Sequence, residues 1–132
     1  MKIKNILDFE NAEAKLNLKK IPANEIKVVS VDNFWDGPLS GECTWLGRNY
    51  YFECFDQVDS KTDSDVWPRK YLLLSLTEDQ KKENQRLQKL FEKSAESDEL
   101  KKEYIRIFEE APEHIVERNQ IIGWFDSSKP LS

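Results

Sequence analysis

Apolar residues recur at three- and four-residue steps at Ile6, Phe9, Ala12, Leu16 and Ile21. This spacing predicts a short amphipathic helix from Ile6 to Leu18, ended by Pro22 and Asn24. The pattern then turns to that of a strand: Ile26-Lys27-Val28-Val29-Ser30-Val31-Asp32-Asn33-Phe34-Trp35 is rich in β-branched and aromatic residues. Glu42-Cys43-Thr44-Trp45-Leu46 and Tyr50-Tyr51-Phe52-Glu53-Cys54-Phe55 flank Gly47-Arg48-Asn49. Gly and Asn accept positive φ more readily than other residues, so a β-hairpin is expected to close at that loop. After a polar loop over residues 56–65, Trp67-Pro68-Arg69 leads into Tyr71-Leu72-Leu73-Leu74-Ser75-Leu76. A nearly continuous apolar run of this length suits a central strand buried on both faces.

The period changes again at Thr77-Glu78-Asp79-Gln80, a capping-box pattern with two acids at the positive helix end. Leu87, Leu90 and Phe91 give this helix an apolar stripe in its second half. Its first half, from Gln80 to Arg86, is wholly polar and reads as solvated. Leu100, Tyr104, Ile107, Phe108 and Ala111 then form a core-facing stripe that Pro112 stops. Gln120-Ile121-Ile122-Gly123-Trp124-Phe125 reads as a last strand. The element order is therefore α-β-β-β-β-α-α-β. It predicts an α+β fold, residues 1–132 forming a single domain with one mainly antiparallel sheet of about five strands and helices packed on one face.

Composition narrows the class. Aromatic residues at 11%, four Trp among them, argue against disorder, and 34% charged residues imply a heavily charged exterior. Asp8 and Glu10 fall where a signal peptide needs its apolar stretch, and no run approaches the length of a membrane span. A cytoplasmic protein without a membrane partner is the expectation, with Cys43 and Cys54 kept as thiols.

The net charge of −5 is unevenly spread. Residues 32–65 hold eight acids, Asp32, Asp36, Glu42, Glu53, Asp56, Asp59, Asp63 and Asp65, against Arg48 and Lys61, a net −6. Such a segment disfavours nucleic acid, whose phosphates need clustered Lys and Arg, and favours a basic partner.

Motifs for catalysis fail on spacing. Gly37-Pro38-Leu39-Ser40-Gly41 is G-x-x-S-G ahead of a strand, whereas a nucleophile elbow needs G-x-S-x-G ahead of a helix. No Gly-Lys-Ser/Thr phosphate loop is present. The acids Asp56, Asp59, Asp63 and Asp65 suggest a calcium loop, but Lys61, Ser64 and Lys70 occupy ligand and glycine positions. Two Cys and one His lack the spacing of a zinc site. No cofactor and no metal are expected.

The thiols need more care. A two- or four-residue hairpin loop would set Cys43 opposite Phe52 and Cys54 opposite Gly41, with both on one face; a three-residue loop would separate them. His114 is the base available to a nucleophilic Cys. The run Trp35-Asp36-Gly37-Pro38-Leu39-Ser40-Gly41, a hairpin carrying Gly47-x-x-Tyr50-Tyr51-Phe52 and a final strand with Trp124 together resemble small bacterial proteins of uncharacterised activity. The likeness spans Val28 to Phe55 and Gly123-Trp124-Phe125, and it implies no activity and no functional residues.

The leading expectation is a non-enzymatic protein-binding module, most concretely an inhibitor or immunity-type protein that occludes a basic partner such as a toxin. Asp36, Asp56, Asp59, Asp63 and Asp65 would steer association, and Trp35, Leu39 and Trp67 would anchor it. Two alternatives stand beside it: a small enzyme or ligand-binding domain using Cys43, Cys54 and His114, and a structural subunit of a larger assembly.

Overall fold

The computed structural model describes residues 17–34, 37–54 and 69–132. The strands are β1 (Lys27–Phe34), β2 (Pro38–Trp45), β3 (Arg48–Cys54), β4 (Arg69–Leu74) and β5 (Ile121–Ser127). Two helices, α1 (Glu78–Ser94) and α2 (Asp98–Glu110), lie between β4 and β5. The strands form one sheet in the order β1-β2-β3-β4-β5, every neighbouring pair antiparallel. The expected α+β architecture is present. The expected first helix falls mostly outside the described residues, and its last positions, Asn17 and Leu18, are not helical.

The sheet separates two apolar layers, because alternate residues of a strand point to opposite faces. On one face Tyr51, Leu72, Leu74, Ile121 and Trp124 meet Leu87 of α1, with Ile107 and Phe108 of α2 against them. On the other, Leu39, Cys43, Phe52, Cys54, Tyr71, Leu73 and Phe125 pack under Ile21, Ile26 and Leu131. The Tyr71 ring stacks on Phe125 at 5.1 Å and meets the Phe52 edge at 5.9 Å. β4 is buried on both sides, as its apolar run requires, with Tyr71, Leu73 and Leu74 fully inaccessible.

One sheet edge is closed by the chain itself. The Ile21 amide donates to the Trp124 carbonyl at 2.8 Å and the Trp124 amide to the Lys19 carbonyl at 3.0 Å, a short parallel pairing outside β5. The other edge is β1, beyond which no strand lies among the described residues. At its start the Val28 amide donates to the Ser132 carbonyl at 3.2 Å.

The hairpin turn differs from its sequence reading. Trp45 pairs with Arg48, so the loop is Leu46-Gly47, with φ of 49° and 77°, and Arg48 and Asn49 belong to β3. A two-residue turn matching the right-handed strand twist needs positive φ at both central positions. Gly47 supplies one without strain, and the exposed Leu46 is drawn into the other. Cys43 consequently faces Tyr50 rather than Phe52, although both thiols do share a face.

The helices begin as their sequence signals suggest. The Thr77 hydroxyl accepts from the Gln80 amide and the Gln80 side chain accepts from the Thr77 amide, completing the capping box of α1. Ser97 caps α2 through the Leu100 amide. The polar first half of α1 is a correction, however, because it is not simply solvated: Gln80 is 7% exposed and Asn84 1%.

Candidate functional site

Buried polar groups concentrate between the helices and the β1–β3 half of the sheet. A bulge in β1 between Val31 and Asn33 aims Asp32 inward, 2% exposed. Its Oδ1 accepts from the Ser40 hydroxyl of β2, and its Oδ2 accepts from the Tyr51 hydroxyl of β3 at 2.7 Å. The Tyr104 hydroxyl of α2 donates to the Asp32 backbone carbonyl at 3.1 Å. One residue thereby ties three strands to a helix.

Glu53 stands directly opposite Ser40 in the β2–β3 ladder. The residue keeps some exposed surface, yet its Oε2 is shut from solvent and has no hydrogen-bond partner among the described residues. Burial first, and the nearby Asp32 second, push its carboxyl well above the ordinary range. The same two causes raise the Tyr51 phenol, and they raise Tyr104 to about 12. Asp32 and Glu53 are thus a pair of nearby carboxyl groups, in which burial and Asp32 favour the protonated form of Glu53.

The layer continues along α1. The Asn84 amide donates to Glu42 Oε1 of β2 at 3.0 Å, and the Gln120 side-chain amide donates to Gln80 Oε1 at 2.6 Å and the Ser75 carbonyl at 3.0 Å. Like Glu53 Oε2, the buried acceptors Asn84 Oδ1 and Gln88 Oε1 lack a donor among the described residues. Buried acceptors of this kind are normally satisfied by water or a bound donor. Asp32, Glu42, Glu53 and Asn84 were not separable from surface charge in the sequence; the signal that distinguishes them is pairing across elements far apart in the chain.

The thiol and histidine reading does not survive the topology. Cys43 and Cys54 are buried in the layer away from the helices, and burial followed by the Glu42 charge raises Cys43 to about 12. His114 stands on the helix side, close enough to Glu83 of α1 to help lower that carboxyl, which the Arg86 hydrogen bond lowers most. The sheet lies between these groups, so they form no common pocket. Ser40 spends its hydroxyl proton on Asp32 at 2% exposure. Among the described residues no three His, Cys, Asp or Glu side chains converge as a metal site would need.

Of the expected partner-binding residues, Leu39 is 5% exposed and packs in the Cys43 layer, so its side chain is core rather than anchor. Pro38, Leu39, Ser40 and Gly41 open β2, which is paired on both sides in the sheet, and all four are buried. Trp35, Asp36, Asp56, Asp59, Asp63, Asp65 and Trp67 lie outside the described residues. Trp45 and Trp124 are buried, Trp45 with its indole N–H on Glu25 at 3.1 Å. Exposed apolar side chains on β1 are instead Val29, 60% exposed, and Phe34, 58% exposed. No helix among the described residues is long and apolar enough to cross a membrane. Compared with protein-family models, curated proteins and solved structures, the chain matches none.

Proposed function

We propose that this chain is a non-enzymatic binding module that covers a basic surface of another protein, in its most concrete form an inhibitor or immunity-type protein. The observation that carries the reading is β1: an edge strand exposing Val29 and Phe34, and running straight into the net −6 segment of residues 32–65. Exposed apolar anchors give an interface its buried centre, while the surrounding acids steer association and match Lys and Arg. Three of the eight acids, Asp32, Glu42 and Glu53, are turned wholly or partly into the polar layer. The steering charge therefore rests on Asp36, Asp56, Asp59, Asp63 and Asp65. Occlusion by contact requires no catalytic group.

The test is to isolate the partner from the native host by crosslinking and measure association at rising ionic strength. Association is expected to slow by at least about tenfold between low and physiological salt. Phe34→Ala is expected to speed dissociation about tenfold, the effect of a single interface anchor. Salt-independent association, or an unchanged Phe34→Ala complex, overturns the reading.

A further inference from the structure

We infer that α2 is a pH-sensitive latch, closed on β1 while the Asp32–Glu53 pair holds a proton and released when that proton passes to solvent. Both carboxyl groups belong to the helix-facing side of the sheet. Glu53 lies two residues beyond Tyr51 on β3, hence on the same face, and Tyr51 packs in the core beneath the helices. Ser40 of β2 stands opposite Glu53 in the ladder and gives its hydroxyl proton to Asp32. The two acids, one on β1 and one on β3, therefore flank a shared neighbour.

The surroundings of Glu53 favour keeping the proton. On β2 Ser40 is committed to Asp32, and Glu42 accepts from the Asn84 amide of α1. On β3 Tyr51 donates to Asp32, and on β4 the residue opposite Glu53 is the apolar Leu72. Burial first and Asp32 second oppose ionisation of Glu53, while the amino terminus, the third cause, acts in the opposite sense. Glu53 Oε2 is shut from solvent with no donor among the described residues. Loss of the proton would set a second negative charge near Asp32 and leave that oxygen unsatisfied, and like charges in a buried setting oppose joint ionisation. The phenols take no part near neutral pH: burial raises Tyr51 well above its ordinary value and Tyr104 to about 12.

Of the two helices, α2 is the less firmly anchored. No residue of α2 is fully buried, whereas Leu87 of α1 is wholly inaccessible in the core. The Tyr104 hydroxyl ties α2 to β1 by donating to the Asp32 backbone carbonyl at 3.1 Å. The Tyr104 ring itself lies among the helices, 5.5 Å from Phe91 of α1 and 5.9 Å from Phe108. An element with little buried surface opens at a lower free energy than the core does. When Glu53 ionises, repulsion acts on Asp32, whose bulge is an irregular point of the β1–β2 ladder. The Tyr104 bond to the Asp32 carbonyl is the tie that breaks, and opening brings water to both carboxylates.

The test is nuclear magnetic resonance on the full chain between about pH 5 and about pH 9, following the Glu53 carboxyl carbon together with through-space proton contacts. Contacts from the Tyr104 ring to the backbone protons of Asp32 and Asn33 report the latch, and those between β4 and β5 report the rest of the fold. In wild type the Tyr104 contacts are expected at the low end and are lost as the Glu53 carboxyl titrates, with the β4–β5 contacts kept throughout. Glu53→Gln has no proton to lose at this position and is expected to keep the Tyr104 contacts at the high end. Tyr104→Phe lacks the tie, and its α2 amides are expected to exchange about tenfold faster than those of wild type near pH 5. Tyr104 contacts that persist while Glu53 titrates, a carboxyl that keeps its proton over the whole range, or the same loss in Glu53→Gln overturns the latch. Simultaneous loss of the β4–β5 contacts, which is global unfolding, overturns it too, as does a Tyr104→Phe chain whose α2 is protected as in wild type.

Discussion

At the scale of a residue, Glu53 sets a pH dependence whose sign is fixed by its surroundings. Burial and Asp32 raise its carboxyl well above the value of about 4.5 expected in an unfolded chain. The folded state therefore holds this proton more tightly than the unfolded state. Its contribution to stability is complete below about 4.5 and is lost as pH rises through the folded value, at about 1.4 kcal/mol for each unit between the two. Glu53→Gln is neutral at every pH, so the variant is expected to match wild type near pH 4 and to be the more stable of the two at pH 8. Urea denaturation at both pH values checks this, and a variant less stable than wild type at pH 8 rejects the upward shift of the carboxyl. Neither Glu53 nor Asp32 was legible in the sequence, where both count among the eight acids of a charged segment. Nothing local marks them as buried: the partners of Asp32 are 8, 19 and 72 positions away.

At the scale of an element, the legible features were those with local chemistry. The Thr77-to-Gln80 box, the β-branched run of β1 and the apolar run of β4 each follow from short-range rules, and each lies where those rules put it. The polar first half of α1 did not follow, since periodicity treats Gln80 and Asn84 as solvent-facing and cannot see Gln120 or Glu42 across the fold. Gly41 shows how tightly the first two strands approach. A Cβ added there would sit 2.0 Å from the Ser30 carbonyl oxygen and 2.9 Å from the Val31 Cα, both rigid backbone. Gly41→Ala must therefore push β1 from β2 beside the bulge that aims Asp32. The expected cost is about 3 kcal/mol, the upper part of the overpacking range, because no flexible side chain can yield. Chemical denaturation measures the loss, and hydrogen exchange should locate it at the amides of β1. A variant within about 0.5 kcal/mol of wild type contradicts the close approach.

At the scale of the whole molecule, the helices sit on a sheet face that is polar on one side and apolar on the other. Over β4 and β5, α1 is held by Leu87 packing on Leu72, Leu74 and Trp124. Over β1–β3 the layer holds by hydrogen bonds converging on Asp32, with Ser40, Tyr51 and Tyr104 supplying them. Such a network is worth its full value only when every member is satisfied, because a buried hydroxyl left alone costs about 1–3 kcal/mol. Asp32→Ala strands the Ser40 and Tyr51 hydroxyls together, so it is expected to cost about 2–5 kcal/mol. Tyr51→Phe removes one of those hydroxyls and leaves Asp32 its other bonds, so it is expected to cost about 1 kcal/mol. In the double variant the Tyr51 hydroxyl is no longer there to be stranded, and the combined loss should fall short of the sum by about 1–2 kcal/mol. Leu87→Ala, in the apolar half, is expected to cost about 2–5 kcal/mol by cavity formation and to add to Asp32→Ala within about 0.5 kcal/mol. Urea unfolding of the three single and two double variants against wild type measures both relations. Coupling at Asp32–Tyr51 with additivity at Asp32–Leu87 means that the polar layer is one unit, built separately from the core beside it. Additivity at both would mean that the Asp32 bonds are independent contacts, and coupling at both would mean that the two halves of the face hold the helices as a single surface.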